Sequence, residues 1–400
     1  MGPFDFLPNF GQGAGLRSPG RLRKVKFGEL QVSEMGLGTW SWGNQLLWGY
    51  EEEQDAELQE VFNLAVDSGV NLFDTGDSYG TGRLNGQSEK LLGRFMKEYA
   101  EKNGGTYPYI GTKFASYPWR LTAGSLERAC EESAARLQRP VDVGQMHWSV
   151  ANYAPWQERA LWQGLANMYK SGQARGQPSS TAPPQLHPHT AGAGRCGRSG
   201  CPTSGRSSCA RCTHSSRSRA CRSRRTRCSP APLPLPGTDR TRRVPAPVPT
   251  GRANDHQVQY SLLSRATGEE TKAVCDELGV TMIAYSPLGL GLLSGRYRPG
   301  GARPAGLRGT LFKERIDEVA PLLAVMDEVA AARGKSVPQV AVNWCICKGA
   351  VPIPGARSLP QARDVLGAAG WRLAPAEVEA LDSAARAVPR ELVQNVFQTK

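Results

Sequence analysis

Four side chains carry the chemistry that this sequence can support: Asp74, Tyr79, Lys113 and His147. Asp74 closes the run Phe73-Asp74-Thr75, and Tyr79 follows in Gly76-Asp77-Ser78-Tyr79-Gly80. Lys113 closes Ile110-Gly111-Thr112-Lys113, and His147 closes Gln145-Met146-His147 before Trp148. Together they are a phenol that can give a proton, an amine that can favour its phenolate, a carboxylate that can hold the amine charged, and an imidazole that can hydrogen-bond a substrate oxygen. Taken singly, Asp74 could be a strand-end cap, Lys113 a solvated charge and Tyr79 a loop aromatic. All four at or just past strand ends, in order, argue for one site.

The elements that must position them are strands alternating with helices, the pattern of parallel α/β folds. A hairpin is expected over 23–33 around Gly28-Glu29. Strands follow at 35–40, 70–74, 109–113 and 141–147, with helices at 53–68, 88–102, 125–137 and 156–170. Later strands are expected at 257–260, 280–285 and 350–353. Helices are expected at 268–278, 316–333 and 338–347, with a last one opening at Pro375. That makes seven strand–helix units where a closed barrel of this kind needs eight. In such a barrel the C-terminal strand ends converge on one mouth, so the four residues can meet around one ligand.

The missing unit falls in a stretch of different composition. The chain of 400 residues has a net charge of +13. Residues 176–256 hold fourteen arginines, no lysine and only Asp239 and Asp255, so they carry +12 of it. The rest is near neutral, which removes the argument for a nucleic-acid partner from the chain as a whole. Six of ten cysteines lie in the same stretch, whereas Cys130, Cys275, Cys345 and Cys347 sit among apolar neighbours, as reduced, buried thiols do. Cys209, Cys212 and His214 are a weak metal signal without a second pair, and no metal is expected. An Arg/Ser-rich RNA-binding segment is a further alternative.

A shift of reading frame accounts for more. Back-translated one base earlier, codons from Gly197 permit A-V-G-V-S-N-F-G, an apolar strand ending in Ser-Asn, and codons before Pro230 permit a segment ending N-Q-V-Q. We therefore read a frame error and a retained intron here, with 176–256 a disordered insertion replacing strand five. No run of eighteen apolar residues suggests a membrane span.

The motifs F-D-T-G-D-S-Y-G, I-G-T-K-F, Q-M-H-W, A-Y-S-P-L-G and V-P-I-P-G-A-R, in this order and spacing, closely resemble those of the aldo-keto reductases, in particular the plant and algal plastid-type branch. The resemblance spans about residues 22–173 and 257–390. It implies an N-terminal hairpin and a (β/α)₈ barrel, in two halves at 22–175 and 257–390, flanked by an extension at 1–21 and a tail at 391–400. It also implies reduction of an aldehyde or ketone by hydride from NADPH, with NADH second, and Tyr79 as proton donor. Tyr285 would stack on the nicotinamide, and Gln257 would bond its carboxamide. Ser286, Leu288 and Gly289 would line the pyrophosphate loop, while Gly355, Arg357 and Gln361 would hold the adenosine end. Arg357 could pair with a 2′-phosphate. Gly38, Thr39 and Trp40 would complete the cofactor wall, and Trp42 and Trp148 would line the substrate pocket or cap the barrel rim. The Ser-Asn pair that the family sets beside the carboxamide is absent from this frame. The expected partner is a small carbonyl compound, the expected state a monomer, and the expected compartment a plastid, with the cytoplasm as alternative. Two other outcomes stay open: a nicotinamide-binding sensor or accessory barrel with little turnover, and an inactive product of a mis-spliced gene model.

Overall fold

The computed structural model describes residues 22–179 and 255–393, apart from 81, 105, 106 and 305. Ten strands run through them: β1 Lys24–Phe27, β2 Leu30–Ser33, β3 Leu37–Gly38, β4 Leu72–Gly76, β5 Tyr109–Phe114, β6 Val141–Met146, β7 Ala174–Ser179, β8 Asp255–Gln259, β9 Thr281–Tyr285 and β10 Val351–Ile353. The helices of the first half are α1 Gln45–Trp48, α2 Asp55–Asp67, α3 Gln87–Asn103, α4 Ala123–Leu137 and α5 Pro155–Ser171. Those of the second half are α6 Ala266–Leu278, α7 Gly306–Phe312, α8 Arg315–Arg333, α9 Val337–Cys347, α10 Leu359–Leu366 and α11 Pro375–Arg386.

Strands β3 to β10 form the barrel. The ladders run β3-β4-β5-β6-β7 and β8-β9-β10, all parallel. A parallel bridge from Gly38 to Gly355 joins the two on one side, and β7 lies against β8 on the other. Glycine is required at 38, because an added Cβ would stand 2.9 Å from the Ile353 carbonyl oxygen. The antiparallel hairpin β1–β2 turns at Gly28, whose φ of 60° suits glycine. Its Phe27 and Val32 pack with Leu72, Val143, Ile283 and Val351 from the strands, filling the base of the barrel. Each such buried side chain contributes roughly 1.5–3 kcal/mol. With the base filled, the opposite mouth is left for a ligand.

The predicted helices and strands recur within a few residues of their expected ends, and three helices, α1, α7 and α10, had not been read. Where the sequence places seven barrel strands, the structure has eight. Residues 174–179 take the fifth place, so 176–179 and 255–256, assigned above to the inserted stretch, belong to strands. A ladder asks for backbone groups more than for side chains, which lets this unpromising segment pair. Between the pairs Val143–Gly176 and Gln145–Ser179, β7 spends three residues against two on β6. Pro178 falls in that irregular step, where a missing N–H is tolerated. The remainder of the inserted stretch, 180–254, with its six cysteines and the shifted strings, lies outside the described residues, as does the extension at 1–21. Cys130, Cys275 and Cys345 are buried free thiols and Cys347 is half-buried, as their apolar neighbours suggest.

Candidate active site

The chemistry-bearing residues come from successive strands. Asp74 is on β4, Lys113 on β5, and Tyr79 and His147 just beyond β4 and β6. The Lys113 Nζ is 2.5 Å from Asp74 Oδ2, both side chains nearly enclosed. The same ammonium stands 4.9 Å from the centre of the Tyr79 ring. Tyr79 and His147 meet edge to face at 5.5 Å, and Ser78 Oγ lies 3.0 Å from His147 Nδ1. The tetrad read from the sequence is thus gathered on one wall of a cleft of about 1050 Å³.

Burial dominates the electrostatics. It pulls the Lys113 ammonium below its ordinary range, and the neighbouring Asp74 charge acts against that pull. It pushes the Tyr79 phenol well above its ordinary range, with the Asp74 charge adding to the rise. The Tyr79 phenol is thus not brought below its ordinary range by Lys113, contrary to the expectation above: desolvation of the phenolate, with the Asp74 charge, sets the direction. Burial, then the Lys113 charge, brings His147 down to about 3, so its imidazole is neutral at physiological pH.

Gly38, Trp40, Gln257, Tyr285, Ser286, Leu288, Gly355, Arg357, Gln361 and Trp148 all line the cleft. Ser286 has φ +52°, a strained value for a residue with a side chain and one that clusters at ligand sites. The Arg357 backbone N–H donates to Gln361 Oε1 at 3.0 Å, and its guanidinium donates to the Trp48 carbonyl at 2.6 Å. Three expected residues do not line it. Trp42 is fully buried against Phe95, and its indole N–H donates to the Ala356 carbonyl at 2.9 Å, so it is a satisfied core residue and not a substrate contact. Thr39 is buried with its hydroxyl donating to the Asp74 carbonyl at 3.0 Å. Gly289 is buried beside Leu263 and is not among the residues that line the cleft.

Other residues were missed. Trp48 on α1 has Arg308 of α7 over its ring at 4.2 Å and Arg357 at 5.4 Å. Arg296 also lines the cleft, and none of these three arginines has an ion pair among the described residues. No spacing signal marks Arg296, Arg308 or Trp48, because the fold brings them together from segments far apart in the chain. Gln145 was within reach of the sequence: it lies two residues before His147, on the same strand face. Its Oε1 accepts from Gln257 Nε2 at 3.3 Å, and the same nitrogen donates to Asp74 Oδ1 at 2.7 Å. Gln257 therefore already has one partner inside the tetrad, Asp74, and a second in Gln145.

The residues present fit an anionic dinucleotide. Ser41, Trp48 and Arg308 line the cleft, and Ser41 Oγ, Trp48 Nε1 and Arg308 Nε are buried without hydrogen-bond partners among the described residues. Buried polar groups are rarely left so, and arginines without carboxylates answer phosphate. The cleft volume is at the upper end of small-molecule sites. Among the described residues no cluster of metal-ligating side chains occurs, and no helix is long and apolar enough to cross a membrane.

Comparison with known proteins agrees with this geometry. The chain is 44% identical to the chloroplastic pyridoxal reductase of Arabidopsis thaliana over 94% of its own length and 90% of the relative's. It is 29% identical to an uncharacterized oxidoreductase of Mycobacterium tuberculosis, over 89% of this chain and 90% of that one. Its fold matches the glycerol dehydrogenase of Gluconobacter oxydans with a TM-score of 0.65 at 21% identity, covering 93% of this chain and 98% of the other. An aldo/keto reductase of Klebsiella pneumoniae, solved with NADP and acetate, matches with a TM-score of 0.57 at 21% identity over 94% and 98% of the two chains. The profile of the aldo/keto reductase family covers residues 34–181 and 252–386. The chain belongs to the aldo/keto reductase family.

Proposed function

We propose that this protein reduces a carbonyl compound to an alcohol with NADPH, Tyr79 giving the proton. The observation that carries the reading is the enclosure of Tyr79, the Lys113–Asp74 pair and His147 in one cleft with three arginines that lack carboxylates. Arg357, Arg308 and Arg296 would hold the phosphates. Ser286 and Leu288 would border them, and Tyr285 would face the nicotinamide ring. When bound, the reduced nicotinamide supplies the hydride.

The chain's own residues do the rest. The raised pKa keeps the Tyr79 phenol protonated at neutral pH, loaded as an acid. As charge grows on the carbonyl oxygen, the phenol proton passes to it, and the Lys113 ammonium over the ring stabilises the phenolate left behind. Asp74 keeps Lys113 charged and in place. Neutral His147, its Nδ1 taken by Ser78, presents Nε2–H to the carbonyl oxygen and fixes its angle. One carbon–hydrogen and one oxygen–hydrogen bond form, and the carbonyl π bond is lost.

Trp40, Trp48 and Trp148 line the cleft with Tyr285, so a planar heteroaromatic aldehyde suits the walls. The Arabidopsis relative is named for pyridoxal, and pyridoxal is the substrate we assign first. The chloroplastic name of that relative supports a plastid as the compartment. The test is loss of reduced-nicotinamide absorbance on mixing the purified full chain with NADPH and pyridoxal, followed by a panel of aldehydes. Turnover with pyridoxal supports the reading in full. Turnover with other aldehydes alone removes the substrate assignment. Tight NADPH binding with no turnover on any aldehyde would replace the enzyme by a nicotinamide-binding sensor.

A further inference from the structure

A neutral imidazole carries its proton on one of two nitrogens. His147 is neutral, and its Nδ1 stands 3.0 Å from Ser78 Oγ, so only a proton on Nε2 can reach a carbonyl oxygen in the cleft. The Ser78 contact alone leaves the choice of nitrogen open, since a hydroxyl can give or take a hydrogen bond. Contacts beyond Ser78 narrow it. The Tyr117 phenol meets the side chains of Ser78 and Asn85. Arg120 lies over the Tyr117 ring at 5.1 Å, and a cation on that face makes the phenol a better donor. The guanidinium is itself pinned. It donates to Asp77 Oδ2 at 2.5 Å and to the Ala115 carbonyl at 2.8 Å, while Asp77 Oδ1 accepts the Ala115 N–H at 3.0 Å. Gln157 Nε2 holds the same loop from α5, donating to the carbonyls of Tyr117 and Arg120 at 2.7 and 3.1 Å. Tyr117 also stacks on Trp119 at 4.5 Å and meets Trp148 edge to face at 6.1 Å. Its ring is thereby fixed.

We propose that Tyr117 and Ser78 set the tautomer of His147: the Tyr117 hydroxyl donates to Ser78 Oγ, the Ser78 hydroxyl donates to Nδ1, and the imidazole proton is left on Nε2. The inference rests on the carbonyl-reductase reading above and adds to it the reason why His147 presents a donor. Run the other way, Nδ1–H would donate to Ser78 and Ser78 to Tyr117. A bare Nε2 would then face the carbonyl oxygen, lone pair against lone pair. Neither Tyr117 nor Ser78 lines the cleft, so both are positioning residues that act through His147. The exposed Asn85 supplies a donor to the Tyr117 oxygen. Arg120 and Asp77 act one step further out, by holding the ring from which the relay starts.

The test reads the tautomer directly. Long-range proton–nitrogen correlation spectra of the full chain, isotope-labelled at histidine, distinguish a protonated from a bare ring nitrogen at neutral pH, and His147→Gln assigns the His147 signals by their loss. The wild type is expected to show Nε2–H as the major form. Tyr117→Phe keeps the ring but frees Ser78 Oγ to accept from Nδ1–H. In that variant the ratio of Nε2–H to Nδ1–H should fall about two- to tenfold, the worth of one hydrogen bond. Its kcat/KM for the carbonyl should fall in proportion to the Nε2–H fraction that remains, with the NADPH dissociation constant unchanged. A merely structural role for Tyr117 would lower stability and leave the tautomer alone. A wild type with Nδ1–H as the major form overturns the proposal, and so does an unchanged ratio in Tyr117→Phe. Should that variant fail to fold, Ser78→Ala decides: a lower ratio supports the relay, and an unchanged one overturns it. Turnover is scored apart. A wild type that reduces no carbonyl with NADPH ends the reading beneath the proposal, whichever tautomer His147 shows.

Discussion

At the level of single residues, the site turns on a competition between burial and charge. The Tyr79 phenol is held protonated by its enclosure, and the Lys113 ammonium over its ring becomes useful only as the proton leaves. An acid that is always loaded and whose conjugate base meets a waiting cation suits a step in which the oxyanion must be quenched at once. Replacing Tyr79 by Phe removes the proton and little else, because the ring and its edge-to-face contact with His147 are kept. We expect kcat to fall by about 10²- to 10⁴-fold, the usual worth of a general acid, while the dissociation constant for NADPH moves less than about twofold. Steady-state kinetics and a fluorescence titration on one preparation check both numbers, and a loss of affinity equal to the loss of rate would mean that Tyr79 is a binding residue. The tetrad was legible in the sequence because its members are uncommon types at strand ends, where the barrel geometry already says they converge. Trp42 was misread because a tryptophan near a strand end looks alike whether it faces the cleft or the core; only its bond to Ala356, 314 positions away, decides. The Trp48 clamp was invisible for a related reason, since no local pattern links Trp48 with Arg308.

At the level of elements, regularity decided what could be read. The long helices have apolar periodicity and several carry their own signals, such as the Thr122/Ser125 capping box of α4, the Ser336/Gln339 box of α9 and Pro155 at the start of α5. The fifth barrel strand has none of these. Ala174–Ser179 holds its place through backbone pairing with β6, irregularly, and a reading based on side chains passes over it. The barrel's other seam, from Gly38 to Gly355, depends on close backbone approach. Gly38→Ala puts a methyl group 2.9 Å from the Ile353 carbonyl oxygen, main chain that cannot move without shifting β10. Overpacking of this kind costs about 1–3 kcal/mol. Since Gly38 and Gly355 also border the cleft, the variant should show both a lower thermal midpoint and weaker NADPH binding. Gly49→Ala, at a positive-φ glycine with no atom near its Cβ position, is a control for backbone strain alone and should leave NADPH affinity unchanged. Equal affinity in Gly38→Ala and wild type would show that the seam does not shape the cofactor wall.

At the level of the whole molecule, the charge of +13 misleads, because +12 of it lies in residues 176–256 and the barrel halves are close to neutral. What links the site to global stability is the burial of groups that would rather be charged. His147 is the clearest, its pKa lowered to about 3 by desolvation and by the Lys113 charge. In the unfolded chain the same imidazole titrates near 6.5. Between those values the unfolded state binds a proton that the folded state refuses, so stability rises with pH across this window. His147 thus adds nothing unfavourable above about pH 6.5, and stability is lost as pH falls from there toward 3. The side chain is half-buried and opens on a cleft that water can enter, which reduces the effect. Between pH 7 and pH 4 the loss should be on the order of 2 kcal/mol. His147→Gln, which cannot titrate, should flatten the acid limb by that amount in denaturant unfolding at pH 7, 5.5 and 4, and its disadvantage relative to wild type at pH 7 should shrink as the pH falls. Parallel curves for the two proteins would mean that the imidazole accepts its proton in the folded state, and that water reaches the mouth of the barrel more freely than the packing of His147 against Tyr79 and Trp148 implies.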